Sequence, residues 1–590
     1  MNEESDSKMI KLLCLMVGAC LMAGCHFSSA RPSVATSLGV VEGVFRNGAI
    51  EYRGIPYSQP LSAKDRWTSA TPVQAWSDRL DGAAFGGACP QTARFDLTEE
   101  SLEENCLTLN VSSPANASSN ERLPVLVWLP GGGFVGGGSN LYRLDKLSRE
   151  GRMLVVSVNY RVGALGFMSH PSQKDQPWNG NIGLEDQRLA LKWVQQHIAK
   201  FGGDPQRVTL AGESAGAASV CLHLLSGKQT SGLFRQAMAA SYGCLYQWPT
   251  VAKTIVYDAA TTVDFFKPSW QLMAEKTGCF DPSQPGSSAE LNCMRAKPLK
   301  QILQAQEAVA AIKPVFPFGP KIDNGPNGTV PLPGYSNALL AEHFNRVPLL
   351  YGGTQEELRL YVAYDVLGPH KLIKDPGRIT PQELKAYFGI YYGLDPQRPL
   401  GSPQAWGDAD YQKIIDEYFP GRDATADEVG SLFSDYIPIA GLNNCAALAA
   451  GSKFSQWSAT VYQWEFADPD ARVLGVGIAP GKDPGMALGA VHSSELNYLF
   501  PNLSNTSSIN AQDLPPKSQL LANTLVRAVS EFVRTGNPNI PDIPLWSAYR
   551  SDAPERVMRF SSDGIASYNA RAHHRCAFWE KLDPKLKMEN

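Results

Sequence analysis

Residues 201–220 read Phe-Gly-Gly-Asp-Pro-Gln-Arg-Val-Thr-Leu-Ala-Gly-Glu-Ser-Ala-Gly-Ala-Ala-Ser-Val. This stretch restricts the fold more than any other part of the chain. Asp204-Pro205 is a turn signal. Residues 208–211 are a short apolar run suited to a buried strand. Gly212-Glu213-Ser214-Ala215-Gly216 follows at once, and Ala217 onward favours helix. A strand entering a helix through small residues makes a sharp turn, with the Ser214 hydroxyl exposed at its apex and the helix N-terminus behind it. Gly-x-Ser-x-Gly alone is a weak signal. A strand before it and a helix after it make it a nucleophile elbow rather than a packed helix start.

The rest of the chain supplies what such a turn needs. Residues 124–129 and 153–160 are apolar runs that read as strands buried on both faces. Residues 107–111, 347–351 and 459–466 also read as strands, and 40–55, with Gly43 and Asn47-Gly48, as a hairpin. Residues 185–199 carry Leu189, Leu191, Trp193, Val194 and Ile198 and form a helix leading into the elbow. Segments 250–320, 380–419, 427–451 and 519–536 are expected to be largely helical. Strands alternating with helices predict an α/β fold with a large, mostly parallel central sheet covered by helices on both faces. The 590 residues are 43% apolar and 19% charged, and no Gly/Ser or charged linker divides the middle. Residues 36–586 are therefore expected to be one domain. A net charge of −4 gives no reason to expect a nucleic-acid partner.

Residues 1–24 read as a signal peptide of lipoprotein type, with Lys8 and Lys11 beside a short apolar run. Glu3, Glu4 and Asp6 are out of place in such a leader and point to a translation start at Met9. Leu21-Met22-Ala23-Gly24-Cys25 resembles a bacterial lipobox, with Met22 where Leu is usual, so Cys25 is the expected lipidation site. Residues 25–35 would be a tether. The expected location is outside the cytoplasm, anchored to a membrane through this lipid, or secreted if the anchor is absent. Of 11 cysteines, Cys14 and Cys20 leave with the leader, and eight follow Cys25. Cys89/Cys106 and Cys279/Cys293 each bracket a short polar loop, as bridges formed in an oxidising compartment would.

A serine hydroxyl needs a base to take its proton, and the base needs a carboxylate to fix its tautomer and stabilise its cation. In a fold built around such an elbow these follow in the order serine, acid, histidine. Among nine histidines, His492 suits best, in the small-residue loop Gly-Ala-Val-His-Ser-Ser-Glu after the 459–466 strand. Glu356 and Glu357 both follow the 347–351 strand, and position alone does not choose between them. The oxyanion hole needs converging N–H groups. Gly131-Gly132-Gly133 and the N–H of Ala215 are the candidates. No Gly-Lys-Ser/Thr follows the glycines, so a phosphate loop is a poor reading.

With these residues in place, the chain resembles the type B carboxylesterase family, which includes cholinesterases. The elbow segment matches that family's signature, as do Glu104-Asn-Cys-Leu-Thr-Leu-Asn110, where Asp is usual at Asn105, and Asn159-Tyr-Arg-Val-Gly-Ala-Leu-Gly-Phe167. The resemblance covers residues 40–586. It implies an α/β-hydrolase that hydrolyses carboxylic esters with Ser214, Glu357 and His492 as catalytic triad. Glu357 falls on the family's acid and Glu356 on its neighbour, with Leu358 where Gly is usual. Gly132, Gly133 and Ala215 match the oxyanion donors, with Pro130 where His or Tyr is common. Glu213 and Glu495 are implied as supporting carboxylates. Three bridges are implied, Cys89–Cys106, Cys279–Cys293 and Cys445–Cys576, leaving Cys221 and Cys244 free as small core residues. The partner is a small-molecule ester; no metal and no organic cofactor is implied. No tryptophan stands between Cys89 and Cys106, where cholinesterases carry one that faces choline; the one aromatic there is Phe95. Trp248 stands near the family's acyl-pocket tryptophan. The competing readings are a lipase or acyltransferase on the same triad, and a non-catalytic binding protein on the same fold.

Overall fold

The computed structural model describes residues 31–587, apart from 94–99, 119, 246–266, 313–317, 321–340, 368–371, 393–406, 438–440, 458, 472–482 and 501–513. The proposed leader, Cys25, Phe95 and Trp248 therefore lie outside the described residues.

The strands in chain order are β1 (Ser33–Ala35), β2 (Val40–Glu42), β3 (Val44–Arg46), β4 (Ala49–Pro56), β5 (Arg79–Asp81), β6 (Thr108–Pro114), β7 (Leu123–Leu129), β8 (Leu154–Val158), β9 (Gly203–Glu213), β10 (Gln236–Ala240), β11 (Leu349–Thr354), β12 (Val461–Phe466), β13 (Val557–Ser561) and β14 (Gly564–Tyr568). Eleven of them form one sheet in the order β14-β13-β12-β11-β10-β9-β7-β8-β6-β4-β3. Neighbours from β8 across to β13 are parallel. The pairs at both margins are antiparallel. The mostly parallel sheet expected from alternating strands and helices is thus present, with hairpins closing its two edges.

β7 shows why the apolar runs read as doubly buried. Val125, Val127 and Leu129 enter one core layer, and Leu126 and Trp128 enter the other. Helices Ile182–His197 and Ala215–Leu225 fill the first layer. The amphipathic helix Pro516–Thr535 covers the second with Leu521, Leu525, Val529 and Phe532, and stops at Gly536, whose φ of 78° is the left-handed cap that favours glycine.

Several expectations are refined. The 40–55 hairpin is β3 and β4 alone, turning at Asn47-Gly48; β2 joins a separate small sheet with β1 and β5. The folded part begins before residue 36: Ser33–Ala35, expected in the tether, pair with β2, and Arg31 meets Asp81 at 2.6 Å. Asp204-Pro205 does not precede β9 but lies in an irregularity within it, between the Leu123/Gly203 and Val125/Val208 pairings. There the Asp204 carboxylate accepts the Gln206 N–H at 3.0 Å. The 427–451 segment is two helices, Ala426–Asp435 and Asn444–Gln456, the second capped by Asn443.

Disulfides join Cys89 to Cys106, Cys279 to Cys293 and Cys445 to Cys576. A fourth joins Cys221 to Cys244, correcting the expectation that these two are free. The reason is spatial. Cys221 projects from the helix after the elbow, Cys244 follows the adjacent strand β10, and their Cα atoms are 5.2 Å apart.

Candidate active site

The elbow is built by close packing. A Cβ on Gly216 would stand 2.0 Å from the Leu129 carbonyl oxygen, and one on Gly212 would stand 2.5 Å from the Gly216 carbonyl carbon. Only glycine lets helix Ala215–Leu225 approach β7 and β9 this closely. Between strand and helix, Ser214 takes φ 56°, ψ −122°, a strained conformation for a residue with a side chain. Its N–H is held by the Ala240 carbonyl at 3.0 Å and its carbonyl by the Ala218 N–H at 2.9 Å. The hydroxyl stands at the apex, half-buried.

Two loops bring the partners. After β11, the Glu357 carboxylate turns back so that Oε1 accepts the Thr354 N–H at 2.8 Å. After β12, residues 490–492 lie against that turn: the Glu356 N–H donates to the Ala490 carbonyl and the His492 N–H to the Glu357 carbonyl, at 3.0 and 3.3 Å. Glu357 Oε2 meets His492 Nδ1 at 2.7 Å, and His492 Nε2 meets Ser214 Oγ at 2.9 Å. Glu357 and His492 are 2% and 5% exposed, so bulk water does not screen the pair. With the proton on Nδ1 facing the carboxylate, the Nε2 lone pair faces the serine hydroxyl. Glu356 faces away, paired to Arg359 at 3.0 Å and to Ser431 at 3.1 Å.

Two further carboxylates lie beneath the imidazole. Glu213 Oε1 is 3.4 Å from His492 Nε2 and accepts the Ser493 hydroxyl at 2.6 Å. Glu495, fully buried, accepts the Ser241 hydroxyl at 3.4 Å. Burial opposes charge on His492, but Glu213, Glu357 and Glu495 outweigh it and raise its pKa to about 9. Burial raises Glu213, and burial together with Glu213 and Glu357 holds Glu495 well above the usual carboxylate range.

The glycine loop leans on this centre. A Cβ on Gly131 would stand 3.2 Å from Ser214 Cβ. Gly132, at φ 119°, turns the chain so that its carbonyl accepts the Val135 and Gly136 N–H groups, each at 3.1 Å. Among the described residues, the N–H groups of Gly132, Gly133 and Ala215 donate to no protein acceptor. Such an assembly can activate a hydroxyl, stabilise the resulting imidazolium and receive a developing oxyanion.

Three supporting residues had not been singled out from the sequence. Ser493 follows His492 directly in Gly-Ala-Val-His-Ser-Ser-Glu, and that adjacency is its local signal. Thr354 and Ser241 carry no local signal; they matter through a backbone N–H and a long-range contact. His574 belongs to a separate buried cluster, meeting Asp435 and Glu465 at 2.6 and 2.8 Å, and His573 beside it is exposed.

The chain matches the model of the carboxylesterase family over residues 30–579. It is 28% identical to the acetylcholinesterase of Bungarus fasciatus over 98% of this chain and 90% of that protein. It is also 28% identical to the cholinesterase of Mus musculus, covering 94% and 87%. Among solved structures, a thermophilic PNB esterase matches with TM-score 0.68 and 26% identity, over 93% of this chain and 99% of that one. A second PNB esterase matches with TM-score 0.66 and 27% identity, over 93% and 100%. On this evidence the chain belongs to the carboxylesterase family and is a carboxylic ester hydrolase with the α/β-hydrolase fold.

Proposed function

We propose that this chain hydrolyses carboxylic esters through an acyl-enzyme on Ser214. The observation that carries the reading is the continuous hydrogen-bonded line Ser214 Oγ, His492, Glu357, with separations of 2.9 and 2.7 Å. Ser214 Oγ attacks the ester carbonyl carbon while His492 Nε2 takes its proton. Glu357 remains anionic and stabilises the imidazolium. The carbonyl π electrons move onto oxygen, which the N–H groups of Gly132, Gly133 and Ala215 receive. Collapse of this adduct breaks the bond to the alcohol oxygen, which takes the proton from His492. Water then adds by the same route and releases the acid.

The segment between Cys89 and Cys106 holds no tryptophan, which favours uncharged esters over choline esters. We also infer that residues 1–24 are a lipoprotein leader, that Cys25 carries the lipid and that one catalytic domain follows. Four disulfides fit an exported chain. Among the described residues no helix is long and apolar enough to cross a membrane.

The test is hydrolysis of p-nitrophenyl and natural esters of graded acyl length by the protein and its Ser214→Ala variant. A loss of about 10⁶-fold in kcat is expected. Near-normal turnover in the variant would remove Ser214 from the mechanism. Added alcohols and emulsified long-chain esters in the same panel separate a hydrolase from an acyltransferase and from a lipase.

A further inference from the structure

Gln91 is fully buried, two residues after the bridged Cys89. Its main chain pairs with Ser101 on the other arm of the disulfide loop: the Gln91 N–H donates to the Ser101 carbonyl at 3.0 Å and the Ser101 N–H to the Gln91 carbonyl at 2.9 Å. The backbone that carries the side chain is thus itself held. The carboxamide then addresses one residue of the glycine loop twice. Gln91 Oε1 accepts the Gly137 N–H at 2.8 Å, and Nε2 donates to the Gly137 carbonyl at 2.9 Å and to the Cys89 carbonyl at 2.9 Å. Only a neutral amide makes all three bonds. A carboxylate cannot donate, and a hydrocarbon makes none.

Gly137 lies directly against the backbone that offers the oxyanion donors. At φ 105°, a Cβ on it would stand 2.2 Å from the Gly131 carbonyl oxygen, and one on Gly132 would stand 2.4 Å from the Gly136 carbonyl oxygen. Two runs of bare backbone are in contact, so a shift of Gly137 is a shift of Gly131 and Gly132. Asn159 makes a second attachment at the end of the same loop. Its Oδ1 accepts the Ser139 N–H at 2.8 Å, and its Nδ2 donates to the carbonyls of Gly87 and Cys106 at 2.9 and 3.1 Å. The glycine loop is therefore hung from the disulfide loop by two amides, and Gln91 is the one that reaches the glycine run itself.

We infer that Gln91 is a positioning residue for the oxyanion donors, aimed by the Cys89–Cys106 loop and acting through Gly137. The inference rests on the acyl-enzyme reading above. It goes beyond it by placing control of transition-state stabilisation in a side chain that touches neither the substrate nor the triad. Oxyanion donors work because they are preorganised. Loosening them weakens binding of the tetrahedral adduct while leaving the binding of the planar ester nearly unchanged.

The test compares the full protein with Gln91→Met, which keeps the bulk and loses all three bonds, and Gln91→Glu, which keeps the acceptor for Gly137. Steady-state kinetics on a p-nitrophenyl ester are measured beside inhibition by an alkyl trifluoromethyl ketone, to whose carbonyl Ser214 adds reversibly, leaving an oxyanion in the same place. For Gln91→Met, kcat is expected to fall by about 10-fold or more, short of the about 10²–10³-fold cost of deleting a donor outright. KM stays within about threefold, and ketone affinity falls by the same factor as kcat/KM. Gln91→Glu, whose second oxygen faces the Gly137 and Cys89 carbonyls without a proton to give them, falls at least as far. The acid limb of the Gln91→Met pH profile stays where it is, because this neutral exchange alters no contact of His492. A kcat within about twofold of the parent, or a fall in kcat with ketone affinity retained, or a displaced acid limb in Gln91→Met, overturns the inference. If Gln91→Met does not fold, Gln91→Glu carries the same comparison. A parent protein that hydrolyses no ester would sink the acyl-enzyme reading and this inference with it. An active parent with unaltered Gln91 variants sinks the inference alone.

Discussion

Glu213 Oε1 stands 3.4 Å from His492 Nε2, the same ring nitrogen that meets the Ser214 hydroxyl. One nitrogen thus faces both the nucleophile and a buried carboxylate. In the proposed mechanism the imidazolium would be stabilised from both sides of the ring, by Glu357 at Nδ1 and by Glu213 at Nε2.

This arrangement sets a pH dependence. As the proposed base His492 must be neutral to accept a proton, and its pKa is raised to about 9 against burial by Glu213, Glu357 and Glu495. Activity is therefore low in acid and rises with pH through that value. Glu213→Gln removes one negative charge and keeps an oxygen for the Ser493 hydroxyl. The midpoint of the acid limb of kcat/KM is expected to move to lower pH. A limb that stays in place or moves upward would show that Glu213 does not act on the imidazole.

The two neighbouring acids should separate cleanly. Glu357 bonds to Nδ1, whereas Glu356 is committed to Arg359 and Ser431. Glu357→Gln offers an amide that can stabilise the wrong tautomer, and kcat should drop by about 10⁴-fold. Glu356→Gln loses a partly buried ion pair away from the imidazole and should change kcat by less than about 10-fold. Equal losses in the two variants would contradict this division of roles.

The fourth disulfide can be checked chemically. Alkylation of the denatured, unreduced protein followed by peptide mass spectrometry should leave Cys221 and Cys244 unmodified. Replacing both by alanine opens a bridge between residues 23 apart and should cost about 3 kcal/mol, read as an earlier denaturation midpoint. Carbamidomethylated Cys221 from the parent protein would mean the bridge is absent in solution.

The anchor is open to fractionation. In the native host, the full chain should sediment with membranes and the Cys25→Ala variant should move to the soluble, exported fraction. Identical distributions would leave Cys25 without an anchoring role.

What the sequence determined by itself was local or ordered along the chain. The elbow could be read because strand, small residues, serine and helix are contiguous, so short-range sterics decide the turn. His492 could be singled out because chain order in an α/β-hydrolase leaves few histidines in the right place. The mostly parallel sheet was legible because strands buried on both faces must be apolar throughout, as residues 124–129 are.

Chain position left the rest open, with Glu357 implied only by the family resemblance, because the deciding contacts join residues far apart in sequence. Glu356 and Glu357 are adjacent and chemically identical. Which one turns inward depends on the Thr354 N–H and on residues 490–492, brought in from the next strand of the sheet. Cys221 and Cys244 become partners only because β9 and β10 pair in register, placing the helix after one beside the segment after the other. Gln91 acquires a role only when the segment just after Cys89 packs against Gly137, 46 residues further along the chain. Local sequence sets what a backbone segment can become, whereas pairing across the sheet sets which side chains meet.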